Sequence, residues 1–146
     1  IPVIGAGGIA DGRGITAAFA LGASGIQVGT RFLASEECQI HDNYKNAVIK
    51  SKDIDTVVTG RCTGHPVQVL KNKLAKEYLK LENANASIDE LEELGKGALK
   101  KAVVDGDIEN GSLMAGQISG MVKKVQSVKE IIEEMFNEYE EVKRSL

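Results

Sequence analysis

The 146-residue sequence predicts an α/β fold with parallel strands. Three observations support that class. Two short apolar runs, Pro2 to Ile4 and Gly25 to Val28, each end in a glycine turn; a helix-patterned stretch lies between them; and an amphipathic helix closes the chain. Two parallel strands need a crossover of roughly a dozen residues, usually a helix, and the spacing of these runs supplies it.

The first strand is closed by Gly5-Ala6-Gly7-Gly8 and the second by Gly29-Thr30. Between them Asp11 is placed to cap a helix whose Ile15, Ala18 and Phe19 share a face and which Gly22 ends. Beyond Thr30 the character changes. Arg31 to Ala34 and Tyr44 to Lys50 read as short helices, and the β-branched stretches Ile54 to Thr59 and Pro66 to Leu70 as strands. Leu70, Leu74, Tyr78 and Leu81 fall on one helical stripe. Ser87 with Glu90 and Ser127 with Glu130 form Ser-x-x-Glu capping boxes that mark two later helix starts. Behind Ser127, the residues Val128, Ile131, Ile132, Met135, Phe136, Tyr139 and Val142 keep helical spacing, which leaves Glu133, Glu134, Glu138, Glu140 and Glu141 for a solvated face.

Composition narrows the class of protein. With 42% hydrophobic and 27% charged residues the chain is ordinary for a folded protein, with the apolar content for one domain's core. The net charge of −3 does not suggest a nucleic-acid binder. No apolar run approaches the ~20 residues that span a bilayer, and a cytoplasmic location is expected. Two cysteines, Cys38 and Cys62, are too few for a disulfide framework and read as reduced thiols. The sequence runs from Ile1 straight into Pro2-Val3-Ile4-Gly5, a strand without a leader, which reads as a piece of a longer protein.

The glycine turns are the main functional signal. Backbone N–H groups that converge without side chains in the way, beside a helix N-terminus, hold an anion. A lone Gly-Gly would mean only a tight turn with positive φ. Two such turns, each at a strand-to-helix junction and 22 residues apart from Gly7 to Gly29, favour a phosphate site made by Gly7, Gly8, Gly29 and Thr30. In eight-stranded β/α barrels, turns after the last two strands recurrently hold phosphate. A dinucleotide-binding Rossmann turn fits less well, because Ala6-Gly7-Gly8-Ile9-Ala10 does not read Gly-x-Gly-x-x-Gly.

The stretch Ile1 to Gly12, then Gly22-Ala23 and Gln27-Val28-Gly29-Thr30-Arg31-Phe32, resembles the last two strand-loop units of the nitronate monooxygenase and type II enoyl reductase flavoproteins. Asp53-Ile54-Asp55-Thr56, Gly64-His65-Pro66-Val67, Lys71-Asn72 and Gly111 to Ile118 resemble the branch of FMN-dependent enoyl-[acyl-carrier-protein] reductases. The resemblance implies the C-terminal strand-helix units of a (β/α)8 TIM barrel in residues 1–35, an inserted α+β substrate-side domain in 36–110, and a return loop with the final barrel helix in 111–146. It implies FMN as cofactor, its phosphate on Gly7, Gly8, Gly29 and Thr30, with Gln117 and a Met114-Ala115-Gly116 turn near the same mouth. It further implies NAD(P)H as reductant, an enoyl-acyl carrier protein substrate in fatty-acid biosynthesis, and a homodimer at full length. The family's catalytic histidine lies on a more N-terminal loop, and neither His41 nor His65 matches it. No catalytic residue is therefore assigned, and the chain alone is expected to be inactive, with the first strand's edge unpaired.

Other signals have simpler readings. Cys38-Gln39-Ile40-His41 and Cys62-Thr63-Gly64-His65 carry the donor types of a zinc site. The preferred reading is two free thiols, a surface His41 and a His65 near the substrate cleft, and no metal. Lys73, Lys76 and Lys80 lie on one helix face, read first as solvated and second as a docking face for an acidic carrier protein. His65 before Pro66-Val67 favours the enoyl reductase branch over nitronate oxidation. A phosphate-ligand binding module without catalysis is the alternative of another class.

Overall fold

The computed structural model describes residues 1–146. The strand–helix–strand unit forms as β1 (Ile4–Ala6), α1 (Gly12–Ala20) and β2 (Gly25–Gln27), followed by α2 (Thr30–Leu33). β1 lies two residues later than its apolar run, because the Gly5 and Ala6 backbone pairs with β2 and the turn begins at Gly7. β1 and β2 pair in parallel, with Ile4 opposite Gly25 and Ala6 opposite Gln27. Asp11 caps α1 by accepting the Gly14 N–H at 2.9 Å, which satisfies one of the donors a helix start leaves free.

The middle of the chain holds α3 (Asp42–Lys50), an antiparallel pair β3 (Thr56–Thr59) and β4 (Val67–Leu70), and helices α4 (Lys73–Asn83), α5 (Ile88–Gly95) and α6 (Ala98–Val103). Several expectations shift here. Ile54 lies in a 3-10 turn, Asp53–Asp55, and not in β3. Leu70 ends β4 and is not on the α4 stripe, because Asn72 caps α4 by accepting the Ala75 N–H at 2.9 Å. The short α6 had no pattern of its own; Gly97, with φ of 71°, makes the bend that starts it.

Met114 and Ala115 form no turn. Met114 bridges Val69, and the Ala115 N–H donates to the Gln68 carbonyl at 3.1 Å, so this segment adds an extended edge to β4. Its burial alternates as an extended segment requires: Leu113 and Ala115 are in the core and Met114 is exposed. A 3-10 helix (Gln117–Met121) follows, and α7 (Val128–Ser145) closes the chain, capped by Ser127 and Glu130 acting reciprocally.

Two cores result. Ile9, Ile15, Ile131 and Met135 join the strand-helix unit to α7. Tyr44, Val48, Leu70, Ala102, Leu113, Ala115 and Val122 join the middle of the chain. Leu113, Ala115 and Val122 pack with the middle section, and the chain rejoins the strand-helix unit at Gln126, which bridges Ser35 and bonds Arg31. The acidic side of α7 is not merely solvated. Glu138 accepts the Gly12 N–H at 2.9 Å, and Glu134 accepts from the Gln126 side chain at 2.6 Å. No helix is long and apolar enough to cross a membrane.

Candidate functional site

Parallel pairing of β1 and β2 in near register sets their C-terminal ends side by side, so the turns that follow are neighbours. Gly7 and Gly8 both take positive φ, 86° and 71°, which a side chain would resist. Gly29 has φ of −110° and caps α2 without a side chain. A Cβ at Gly7, Gly8 or Gly29 would meet nothing within 4 Å. The N–H groups of these three glycines donate to no backbone or side-chain acceptor. The turns thus leave exposed amides without protein acceptors, the kind of group an anion can accept hydrogen bonds from.

Thr30 plays a second part. Its Oγ1 accepts the Gly116 N–H at 2.9 Å, which ties the segment Met114–Gln117 to the second glycine turn while leaving its own hydroxyl hydrogen free to donate. Gly116 is thereby held beside Thr30, while Met114 and Ala115 stay paired with β4; Ala115 is buried, and Gln117 is exposed at the start of its 3-10 helix. From the other side, the fully buried Tyr44 donates its hydroxyl to the Met114 carbonyl at 2.8 Å. Burial pushes that phenol up to about 12, so it stays a neutral donor.

Beneath the second turn sits a polar junction that sequence reasoning missed. Arg31, buried on α2, donates through Nη2 to the Gln126 side-chain oxygen, and Gln126 in turn donates to Glu134. Hydrogen bonding from Gln126, then the nearby Lys124 and Arg31 cations, hold the Glu134 carboxylate below its usual range against partial burial. Ser35 and Gln126 also bridge through their backbones, so the chain leaves and re-enters the strand-helix unit at one place. The buried Lys45 donates to the Ser35 carbonyl at 2.7 Å there.

The histidines and cysteines go elsewhere. His41 Nδ1 accepts the Asn43 N–H at the start of α3. Cys62, exposed, donates its thiol to Glu82 at 3.3 Å, and desolvation, followed by that bond and the carboxylate's charge, pushes the thiol up. No group of three or more metal-ligating side chains gathers anywhere in the chain. His65 lies at a cavity bounded by β4, α4, α6 and Met114.

Paired glycine turns on adjacent parallel strands, each leading to a helix, define an α/β protein with unpaired backbone amides gathered at one strand edge. The chain belongs to the nitronate monooxygenase family, whose model matches residues 1–138. Members of this family are FMN-dependent oxidoreductases. The fold is similar to that of FabK from Thermotoga maritima, at a TM-score of 0.94 and 48% identity, covering 99% of this chain and 46% of that one. It is also similar to a nitroalkane oxidase from Streptomyces ansochromogenes, at a TM-score of 0.79 and 30% identity, covering 99% of this chain and 41% of that one. A probable nitronate monooxygenase of Staphylococcus saprophyticus is 35% identical over 127 residues, 87% of this chain and 36% of that protein. The chain thus spans less than half the length of these relatives.

Proposed function

We propose that this chain is the cofactor-phosphate end, and the substrate-side section, of an FMN-dependent enoyl-[acyl-carrier-protein] reductase that uses NAD(P)H in fatty-acid biosynthesis. The observation that carries the reading is the alignment of two glycine turns with free amides beside Thr30. Three features support a phosphate there: the amides of Gly7, Gly8 and Gly29 are unpaired, a Cβ at any of them would meet nothing within 4 Å, and Gly29 leads directly into the start of α2. FMN, when bound, supplies the hydride chemistry. The chain's own residues bind and orient. Gly7, Gly8, Gly29 and Thr30 would hold the phosphate; Met114, Ala115 and Gln117, held through Gly116, would border the same mouth; and no residue of this chain is assigned the catalytic role.

What supports the enoyl reductase branch is the identity to FabK, 48% across nearly the whole chain, against 30% for the nitroalkane oxidase and 35 to 38% for the probable nitronate monooxygenases. The family match and the curated relatives make nitronate oxidation the second reading. In this proposal the chain completes a (β/α)8 barrel at full length, as a homodimer. The decisive comparison uses the full-length FMN-loaded protein: NAD(P)H-dependent reduction of a crotonyl thioester against nitronate-dependent oxygen uptake. Enoyl reduction is the expected result. Oxygen uptake alone would replace the leading reading with the second, and a colourless protein that gains no flavin spectrum with FMN would leave a phosphate-binding module.

The carrier protein, in this proposal, docks on a lysine face of α4. Lys73, Lys76 and Lys80 are exposed along α4, bordered by Glu77 and Glu109. Reversing the three lysines to glutamate is expected to raise the KM for carrier-bound substrate several-fold while that for a small thioester stays level, because steering acts on the acidic partner only. An unchanged KM for the carrier-bound form would remove this docking face.

A further inference from the structure

We propose that the cavity behind Met114 houses the linear alkyl tail of the substrate, an inference that rests on reading the chain as part of a flavin-dependent oxidoreductase. The cavity measures about 190 Å³ and is walled by Val67 and Val69 of β4, Leu74 and Tyr78 of α4, Leu99 of α6, and Met114. No carboxylate, lysine or arginine lines it, although Thr59, His65, Asn72 and Ser112 add polar groups to a lining that is otherwise apolar. An engineered apolar cavity of about 150 Å³ elsewhere is large enough to admit benzene, so this space is right for several methylenes.

Protein interiors normally fill such gaps. Here the gap persists because three positions where helices approach one another carry almost no side chain: Ala75 on α4, Gly95 at the end of α5 and Ala98 at the start of α6. A Cβ at Gly95 would meet only Tyr78 Cε2, at 4.0 Å. Gly95 is not in the left-handed region, so neither backbone conformation nor crowding requires glycine there. The emptiness is therefore a property of the cavity and not a by-product of a turn.

The cavity also lies next to the candidate site. Met114 forms part of its wall, and Gly116, two residues on, is the one bonded to Thr30. Two residues of extended chain span about 7 Å. Tyr44 fixes the Met114 carbonyl and Thr30 fixes Gly116, so the wall between cavity and site is held at both ends. A substrate whose reacting carbons lie on the site side of Met114 would send its apolar tail past this residue. Both an enoyl thioester and a nitronate can carry such a tail, and the alkyl chain is what they share.

The test uses the full-length FMN-loaded protein with two opposed changes. Gly95→Leu extends a side chain into the cavity, and Leu99→Ala enlarges it. For each, kcat/KM is measured with four-carbon and eight-carbon enoyl thioesters and with nitronates of the same lengths. Each methylene kept in water costs roughly 4-fold, so the eight-to-four-carbon ratio should fall on the order of 100-fold in Gly95→Leu. It should rise in Leu99→Ala. Retention of the flavin spectrum shows that each variant is folded. In parallel, calorimetry measures binding of octanoyl-pantetheine and butyryl-pantetheine to the wild type and both variants. A length-dependent shift with thioesters identifies the tail as an acyl chain. The same shift with nitronates alone keeps the cavity's role and removes the enoyl reductase reading. If the wild type turns over neither substrate, the proposed function fails, and the cavity is judged by whether Gly95→Leu weakens octanoyl binding selectively. Length profiles that match the wild type in turnover, or in binding where there is no turnover, would overturn the proposal.

Discussion

Thr30 has two roles that a conservative change can separate. Its side-chain oxygen is the only tie between Gly116 and the second glycine turn, and a neutral hydrogen bond of this kind contributes about 1 kcal/mol. Thr30→Val in the full-length protein keeps the β-branched shape and removes the acceptor, so FMN affinity should fall roughly five-fold or more, read by flavin fluorescence. Thr30→Ser should retain most of it. If Val and Ser behave alike, the hydroxyl has no part in holding the cofactor. The glycines of this site were legible in the sequence because each sits directly between a strand pattern and a helix pattern. The tie to Gly116 was not, since nothing local in a chain predicts that residues 86 apart will share one hydrogen bond. Arg31 escaped notice for the same reason: an arginine after a glycine turn reads as solvated until its distant partner Gln126 is seen.

Helix α1 lies against α7 with its first residue pressed into the partner's backbone. A Cβ on Gly12 would collide with the backbone of Glu138 and Tyr139, and Glu138 accepts the Gly12 N–H. Gly12→Ala should therefore separate the two helices and cost about 2 to 3 kcal/mol, comparable to other overpacked core positions, measurable by chemical denaturation. The start of α7 responds to acid. Hydrogen bonds from the Ser127 amide and hydroxyl hold the Glu130 carboxylate below the ordinary range. A lowered folded pKa means that the cap contributes fully above the unfolded value and is lost as pH falls through the folded one. Thermal stability should decline on that acid limb, and Glu130→Gln should make the decline shallower; an identical acid limb in the two proteins would exclude the cap as its source. Elements with an internal period or a cap, such as α1, α4, α5 and α7, could be read from the residues alone. The 3-10 turn at Asp53, the added edge at Met114 and the short α6 could not, because neighbours in space decide them.

At the scale of the molecule, two cores meet at a polar junction. Gln126 accepts from buried Arg31 and donates to Glu134, so Gln126→Leu would leave a guanidinium short of partners in a dry setting. A loss of about 2 kcal/mol is expected in full-length protein, and Gln126→Glu, which keeps an acceptor for Arg31 but faces the Glu134 carboxylate without a donor, should also destabilise near neutral pH. A denaturation midpoint equal to the wild type in both variants would exclude the junction as a source of stability. The same junction has a constructional consequence. Because Ser35 and Gln126 are bridge partners, everything from Glu36 to Val125 leaves and returns through a gap of one strand spacing, about 5 Å. A linker of a few glycine and serine residues could close that gap. The frame formed by β1, α1, β2, α2 and α7 thus carries the rest as a cassette entered and left at Ser35 and Gln126, so exchange of the cassette means matching that junction together with the Thr30–Gly116 bond and the core face at Ala34.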